Sequence, residues 1–170
     1  TTYSLDCIIT RCTNNYGPHQ FPEKLIPKTI LLAQKNEKIP IYGSGKNIRD
    51  WIYVKDHVRA IEFLIENGEN GEVYNIGGNN EKMNKEITTI ILNTLNKSES
   101  LICPVRDRLG HDRRYALDSS KINSLGWAPV YDFDEAMNYT IKWYQDNSSW
   151  WQEIKSGEYK EYYEKMYGRK

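Results

Sequence analysis

Short β-branched runs alternate with one-faced helical stretches along this chain, and that rhythm restricts its fold more than any other feature. Residues 6–12 form an apolar run with little in–out alternation, as a central parallel strand buried on both faces reads. Leu25, Ile26, Thr29, Ile30 and Ala33 then share a helical face, with Pro27 tolerable only near the first turn. Residues 39–42 read as a short strand ended by Gly43-Ser44-Gly45, and residues 51–54 as another. The second feeds a helix in which Val58, Ile61, Leu64 and Ile65 share one face, Asp56 sits in the first turn and Gly68 marks the stop. A strand over 72–76 closes on Gly77-Gly78, and Ile87, Ile90, Ile91 and Leu95 mark a further helix with Asn84 near its start. There follow a strand over 101–105, a short helix over 119–125 and a helix opened by the Asp132-x-x-Glu135 capping spacing. An aromatic helical tail over 148–167 completes the series. Strands and helices in this alternation place the chain in the α/β class.

Charge and composition narrow the partners. Lys+Arg and Asp+Glu both total 23, so there is no net charge to hold a nucleic acid on a large basic face, and such a partner is not expected. No apolar stretch approaches the length of a membrane span and no signal peptide is read, so a membrane partner is not expected either. Cys7, Cys12 and Cys103 form an odd set without a C-x-x-C pair, which fits buried thiols in a reduced, cytoplasmic setting. Trp and Tyr crowd the stretch 143–167, as a ligand surface or simply as the packing of terminal helices.

Four segments spend polar residues where a scaffold does not need them. The loop Asn14-Asn15-Tyr16-Gly17-Pro18 follows the first strand at the carboxyl edge, where open α/β sheets bind ligands. Its asparagines can grip a sugar hydroxyl or a cofactor amide, or merely cap a turn. In the stretch 40–51 a glycine pair precedes Lys46 and Arg49, without the G-K-[ST] of a P-loop. Arg49 can pair with Asp50 or offer its fork to a diphosphate. Residues 106–115 hold four Arg, two Asp and His111 around Gly110, a solvated loop or a preorganised anion site. Lys24 is a cation at a helix start, where the dipole disfavours it and an anion would restore balance. His19, His57 and His111 lack metal-ligand spacing, so no metal site is expected, and no G-x-S-x-G supports a serine nucleophile.

The runs "TRCTNNYGPHQFPEKLIP", "IPIYGSGKNIRDWIYVKDH", "GEVYNIGGNNEKMN", "DRLGHDRRYALDSSKI" and "WWQEIKSGEYKEYYEKMY" closely resemble the carboxyl-terminal half of the dTDP-glucose 4,6-dehydratases. These are nucleotide-sugar members of the extended short-chain dehydrogenase/reductase family. The resemblance implies that residues 1–170 form the substrate-binding portion of such a fold, with one or two strands belonging to the Rossmann sheet. It implies an NAD that oxidises the glucose at C4, permits loss of water across C5 and C6, and returns the hydride to C6, in deoxysugar (rhamnose-type) biosynthesis. Asn14 would then contact dTDP-glucose and Asn15 the NAD. Lys24 and Leu25 would line the sugar-nucleotide site, Pro40, Ile41 and Tyr42 would border the thymine, and Arg49 and Asn84 would take the diphosphate. Asp107, Arg108, Leu109, Gly110 and His111 would hold the nucleotide, and Tyr167 would close over it. The full-length family member is expected to be a homodimer.

Two departures stand out: Leu109 replaces the family's usual proline, and residues 122–127 run one position short. No G-x-x-G-x-x-G, no Y-x-x-x-K that would supply the family's catalytic tyrosine and lysine, and no Thr-Asp-Glu acid/base cluster is found. The amino-terminal NAD-binding Rossmann part is therefore expected to lie outside this chain, with no catalytic residue within it, and the chain alone is expected to be inactive. Two other readings remain open: a free-standing, non-catalytic nucleotide-sugar-binding module, and half of a UDP-sugar epimerase or decarboxylase. The first strand is also expected to leave a sheet edge exposed and to promote self-association.

Overall fold

The computed structural model describes residues 5–155, so Tyr167 and the tail beyond residue 155 lie outside the described residues. Among the described residues, eight strands and six α-helices alternate as the α/β reading requires. Strand β4 (Ile48–Tyr53) organises them. It pairs in parallel with β2 (Asn14–Tyr16) on one side and antiparallel with β6 (Glu81–Met83) on the other, and its first residues also pair with β8 (Arg114–Tyr115). Two further parallel pairs flank this sheet: β1 (Ile9–Cys12) with β5 (Val73–Ile76), and β3 (Ile39–Tyr42) with β7 (Ile102–Val105).

Alternation along β4 creates two cores, because successive side chains of a strand leave by opposite faces. Trp51 and Tyr53 leave by one face and pack with Tyr16, with Ile26 and Ile30 of α1 (Leu25–Gln34), Ile87 and Ile91 of α3 (Asn84–Thr94), and Met137 and Ile141 of α5 (Phe133–Asp146). Ile52 leaves by the other face. It packs with Ala60 and Leu64 of α2 (Val54–Asn67), Tyr74 and Ile76 of β5, and Ile122 of α4 (Ser120–Ser124). A smaller cluster joins Ala33, Ile39, Ile41 and Leu92 between α1, β3 and α3. Each fully buried Leu or Ile here stabilises the fold by about 1.5–3 kcal/mol relative to an exposed one.

Local signals explain most element ends. Pro27 lies in the first turn of α1, where its missing N–H costs nothing. Asp132 caps α5 by accepting from the backbone N–H groups of Asp134 and Glu135. Gly68 closes α2, its N–H bonded to the Leu64 carbonyl. Gly78 permits a close crossing of β4, since a Cβ there would stand 2.0 Å from the Trp51 carbonyl oxygen.

Four expectations are corrected. Asn14–Tyr16 is a strand rather than a loop, held in register by Trp51, Ile52 and Tyr53 of β4. β1 is exposed rather than buried on both faces: among the described residues it is paired along one edge only, by β5, and Ile9 is 52% exposed. In α2 the stripe Val58, Ile61 and Ile65 faces outward, with only Leu64 of the expected face buried. Asp56 sets that rotation. It is 1% exposed and accepts from the backbone N–H groups of Val130 and Tyr131, which turns Asp56, Ala60 and Leu64 inward. The thiols, finally, are not uniformly buried: Cys7 is exposed, while Cys12 and Cys103 are half-buried and free.

An Asp56→Ala variant leaves two backbone donors without their acceptor and is expected to lose about 2–3 kcal/mol of stability in urea unfolding. Ile61 and Ile65 of that outward stripe adjoin Ile8 and Thr10 in a single groove. An apolar face of this kind favours association. Light scattering is expected to show a mass that rises with concentration, and Val58→Lys combined with Ile65→Lys is expected to suppress the rise.

Candidate functional site

The carboxyl end of β3 and the amino end of β4 meet at the Gly43-Ser44-Gly45 turn, and the segment 106–115 folds over both. The Gly43 N–H bonds to the Val105 carbonyl and the Ile48 N–H to the Arg113 carbonyl, so each end of the segment is tied to a strand. Between those ties His111 Nδ1 lies 2.6 Å from Asp107 Oδ1. That hydrogen bond, reinforced by the Arg108 backbone N–H, holds the Asp107 carboxyl below its ordinary value. The His111 ring meets Tyr42 edge-on at 5.9 Å, and the Arg108 guanidinium lies 5.3 Å from the Tyr42 ring centroid. Tyr42 is thus flanked by two cationic or polar groups, an arrangement suited to a flat aromatic ring. A cleft of about 510 Å³ opens here between Lys46, Asn47, Asp107, His111 and Arg113.

Arg49 is the most informative residue of the group. It is only 9% exposed, and its guanidinium donates to two backbone carbonyls, Ile48 at 2.7 Å and Asp112 at 3.0 Å. No carboxylate pairs with it among the described residues. The neighbour Asp50 takes no part, because alternation sends it to the other face of β4. There its carboxylate accepts from the backbone N–H groups of Gly78 (3.0 Å) and Asn80 (2.7 Å). A buried charge met only by carbonyl dipoles is expensive unless an anion joins it.

Register places the remaining candidates around Arg49. Residues in register on neighbouring strands face the same side. Asn14, opposite Trp51, therefore lies on the Arg49 face, and Asn15, opposite Ile52, on the Asp50 face. Asn14 is half-buried, and its amide makes no hydrogen bond among the described residues. The backbone N–H of Asn84, the first residue of α3, bonds to the Asn47 carbonyl beside Arg49, and the Asn84 Oδ1 is buried without a partner among the described residues. Lys24 is the exposed cap residue of α1, whose first turn holds no acidic side chain. Leu25 is half-buried between two cores. Pro40 and Tyr42 leave β3 by one face, whereas the Ile41 side chain is buried in the core and can offer a ligand only its backbone. Leu109 and Gly110 are exposed at the tip of the segment. Lys82, opposite Arg49 on β6, was not singled out from the sequence, because only strand register reveals its place. No group of three or more metal-ligating side chains occurs among the described residues.

The family model described as GDP-mannose 4,6 dehydratase matches residues 1–140. The chain belongs to this family. Within it, the chain is 47% identical over 98% of its length to a dTDP-glucose 4,6-dehydratase of Salmonella typhimurium. Among solved structures, it is 48% identical to a dTDP-glucose 4,6-dehydratase of Bacillus anthracis in complex with NAD, with a TM-score of 0.84 over 90% of this chain and 49% of that one. A Streptomyces venezuelae dTDP-glucose 4,6-dehydratase with NAD and a second ligand bound gives 44% identity and a TM-score of 0.87, covering 90% of this chain and 48% of that one. The chain spans about half the length of the curated relatives it matches, 48% of the Salmonella protein.

Those NAD-bound dehydratases make the fit of the chain's own residues to NAD a pointed question. Both polar atoms of the Asn15 amide are already engaged: Nδ2 donates to Cys12 Sγ (3.3 Å) and the Thr13 carbonyl (3.1 Å), and Oδ1 lies 2.8 Å from His57 Nδ1. β1 runs on into β2 rather than into a glycine-rich turn opening a helix, so these residues do not themselves build a dinucleotide cradle.

The amide contacts also fix the His57 tautomer: Oδ1 must accept, so Nδ1 carries the proton. Burial lowers the His57 pKa from its ordinary 6.5. The unfolded chain therefore takes up this proton first as pH falls. The contribution to stability is complete above pH 6.5 and is lost as pH falls from there through the lowered folded value. Thermal melts are expected to show Tm decreasing below pH 6.5, with a shallower decrease in His57→Gln.

Proposed function

We propose that residues 1–170 are the carboxyl-terminal, nucleotide-sugar-binding half of a dTDP-glucose 4,6-dehydratase, which converts dTDP-glucose to dTDP-4-keto-6-deoxyglucose. Kinship with dTDP-glucose 4,6-dehydratases over nearly the whole chain supports the substrate class. The observation that carries the reading is Arg49, a buried guanidinium without a carboxylate partner among the described residues, beside Asn84 and the Tyr42–His111 cleft.

In this reading Arg49 and Asn84 take the diphosphate, and Pro40, the Ile41 backbone and Tyr42 border the thymine. The Asp107–His111 pair, with Arg108, Leu109 and Gly110, holds the nucleotide from above. Asn14 and Lys24, with Leu25 beneath them, orient the sugar. NAD, when bound, supplies the hydride acceptor for C4 and the hydride donor for C6. This chain's share of the work is to fix the sugar against it. Asn14 and Asn15 leave β2 by opposite faces, so in this reading Asn14 meets the substrate while Asn15, its amide engaged by Cys12, Thr13 and His57, braces the strand on the cofactor side. The acid/base residues and nearly all of the NAD cradle belong to an amino-terminal half, so the chain by itself binds without turnover. Tyr167 would complete the closure from outside the described residues.

Titration calorimetry with dTDP tests this. Arg49→Ala is expected to weaken binding by roughly 1.5–3 kcal/mol, the loss typical of hydrogen bonds to a charged group. Unchanged affinity would remove Arg49 from the pocket. Competition with UDP separates the substrate classes: preference for dTDP supports the dehydratase, whereas preference for UDP would favour an epimerase or decarboxylase half.

A further inference from the structure

The segment between Asn15 and Lys24 is held in place from outside the site. His19 adopts a left-handed backbone conformation (φ 61°), uncommon for a residue with a side chain. Such a conformation persists where surrounding contacts over-determine it. The contacts here are aromatic. The His19 ring lies 4.4 Å from Trp143 of α5 and 5.2 Å, edge-on, from Trp150 of α6 (Ser148–Lys155), and the two indoles lie 5.2 Å from each other. The next residue is tied twice. The Gln20 carbonyl accepts from Tyr144 Oη at 2.5 Å, and its Nε2 donates to the Asn15 carbonyl at 2.7 Å. Trp151 Nε1 in turn donates to the Tyr144 carbonyl, which fastens α6 to α5. A continuous chain of contacts therefore runs from α6 through His19 and Gln20 to the strand that carries Asn14 and Asn15.

We propose that His19 is a positioning residue for the nucleotide-sugar site: its ring, wedged against Trp143 and Trp150, fixes the segment that sets Asn14 and Lys24. The proposal rests on the function argued above. Turn formation alone does not demand histidine, since asparagine accepts a left-handed conformation at least as readily. What only the ring supplies is the grip of the two indoles. Aromatic pairs contribute beyond the area they bury. The grip therefore couples the docking of α6 to the pose of the binding segment.

The test compares the wild-type chain with His19→Asn, which keeps the backbone tolerance and deletes the ring. Trp150→Ala and Trp150→Phe form a second pair that removes or retains the aromatic contact. Hydrogen exchange is read over residues 13–24 and 148–155, and dTDP-glucose affinity by calorimetry. His19→Asn and Trp150→Ala are expected to speed exchange in both stretches, leave β3 and β7 unchanged, and weaken dTDP-glucose binding by about tenfold. Trp150→Phe is expected to recover most of the affinity. Exchange in His19→Asn equal to wild type would overturn the aromatic grip. Faster exchange with undiminished dTDP-glucose affinity would overturn the positioning role. No dTDP-glucose binding by the wild-type chain would instead defeat the functional reading, and the positioning role with it, whatever the exchange shows.

Discussion

Everything in this chain is referred to the alternation of β4. One strand of six residues sends Arg49, Trp51 and Tyr53 to one side and Asp50 and Ile52 to the other. The odd-numbered side is apolar from Trp51 onward, where it packs against α1, α3 and α5, and turns cationic at Arg49. The even-numbered side begins with a buried carboxylate that pins the Gly77-Gly78 turn and continues into the second core. A slip of one residue would exchange these faces, burying Asp50 among aromatic rings and sending Trp51 into the α2 core. Pairing with β2 and β6 on either edge removes that freedom.

The site inherits its geometry from the same strand. Arg49 is held by two backbone carbonyls and is paired with no acid among the described residues, so its charge is positioned without being neutralised. Around it the contributions come from separate stretches of the chain: the end of β3 brings Tyr42, β6 and the start of α3 bring Lys82 and Asn84, and the segment 106–115 brings the Asp107–His111 pair. Most of these partners come from β-strand ends or the turns beside them, which is where a ligand can meet backbone donors without breaking a ladder.

Much of this was legible in the residues. The bounds of β3, the start of α3 at Asn84, the Asp132 cap and the Gly68 stop follow from periodicity and local hydrogen-bonding chemistry, which act over a few residues. The polar segments stood out because they offered no periodicity to explain them. What escaped was set at long range. Asn14–Tyr16 carries no strand-like composition and is extended only because β4 supplies its partners. The rotation of α2 depends on two backbone N–H groups more than seventy residues away from Asp56, and the apolar stripe that it turns outward looked like a core face. Arg49 and Asp50 are adjacent and opposite in charge, so a pair was a fair alternative; strand geometry separates them.

The anchoring of the 106–115 segment has a consequence for how its sequence can drift. Arg49 and Asn47 both bond to the carbonyl oxygen of residue 112, and Ile48 to that of residue 113; none of these contacts consults the side chain at either position. Leu109, at the tip, is 96% exposed and stands clear of all of them. Replacing a rigid proline by leucine there changes the tip without loosening the base. The segment behaves like a handle bolted at both ends, whose grip can be recut to suit a ligand while the mounting stays the same.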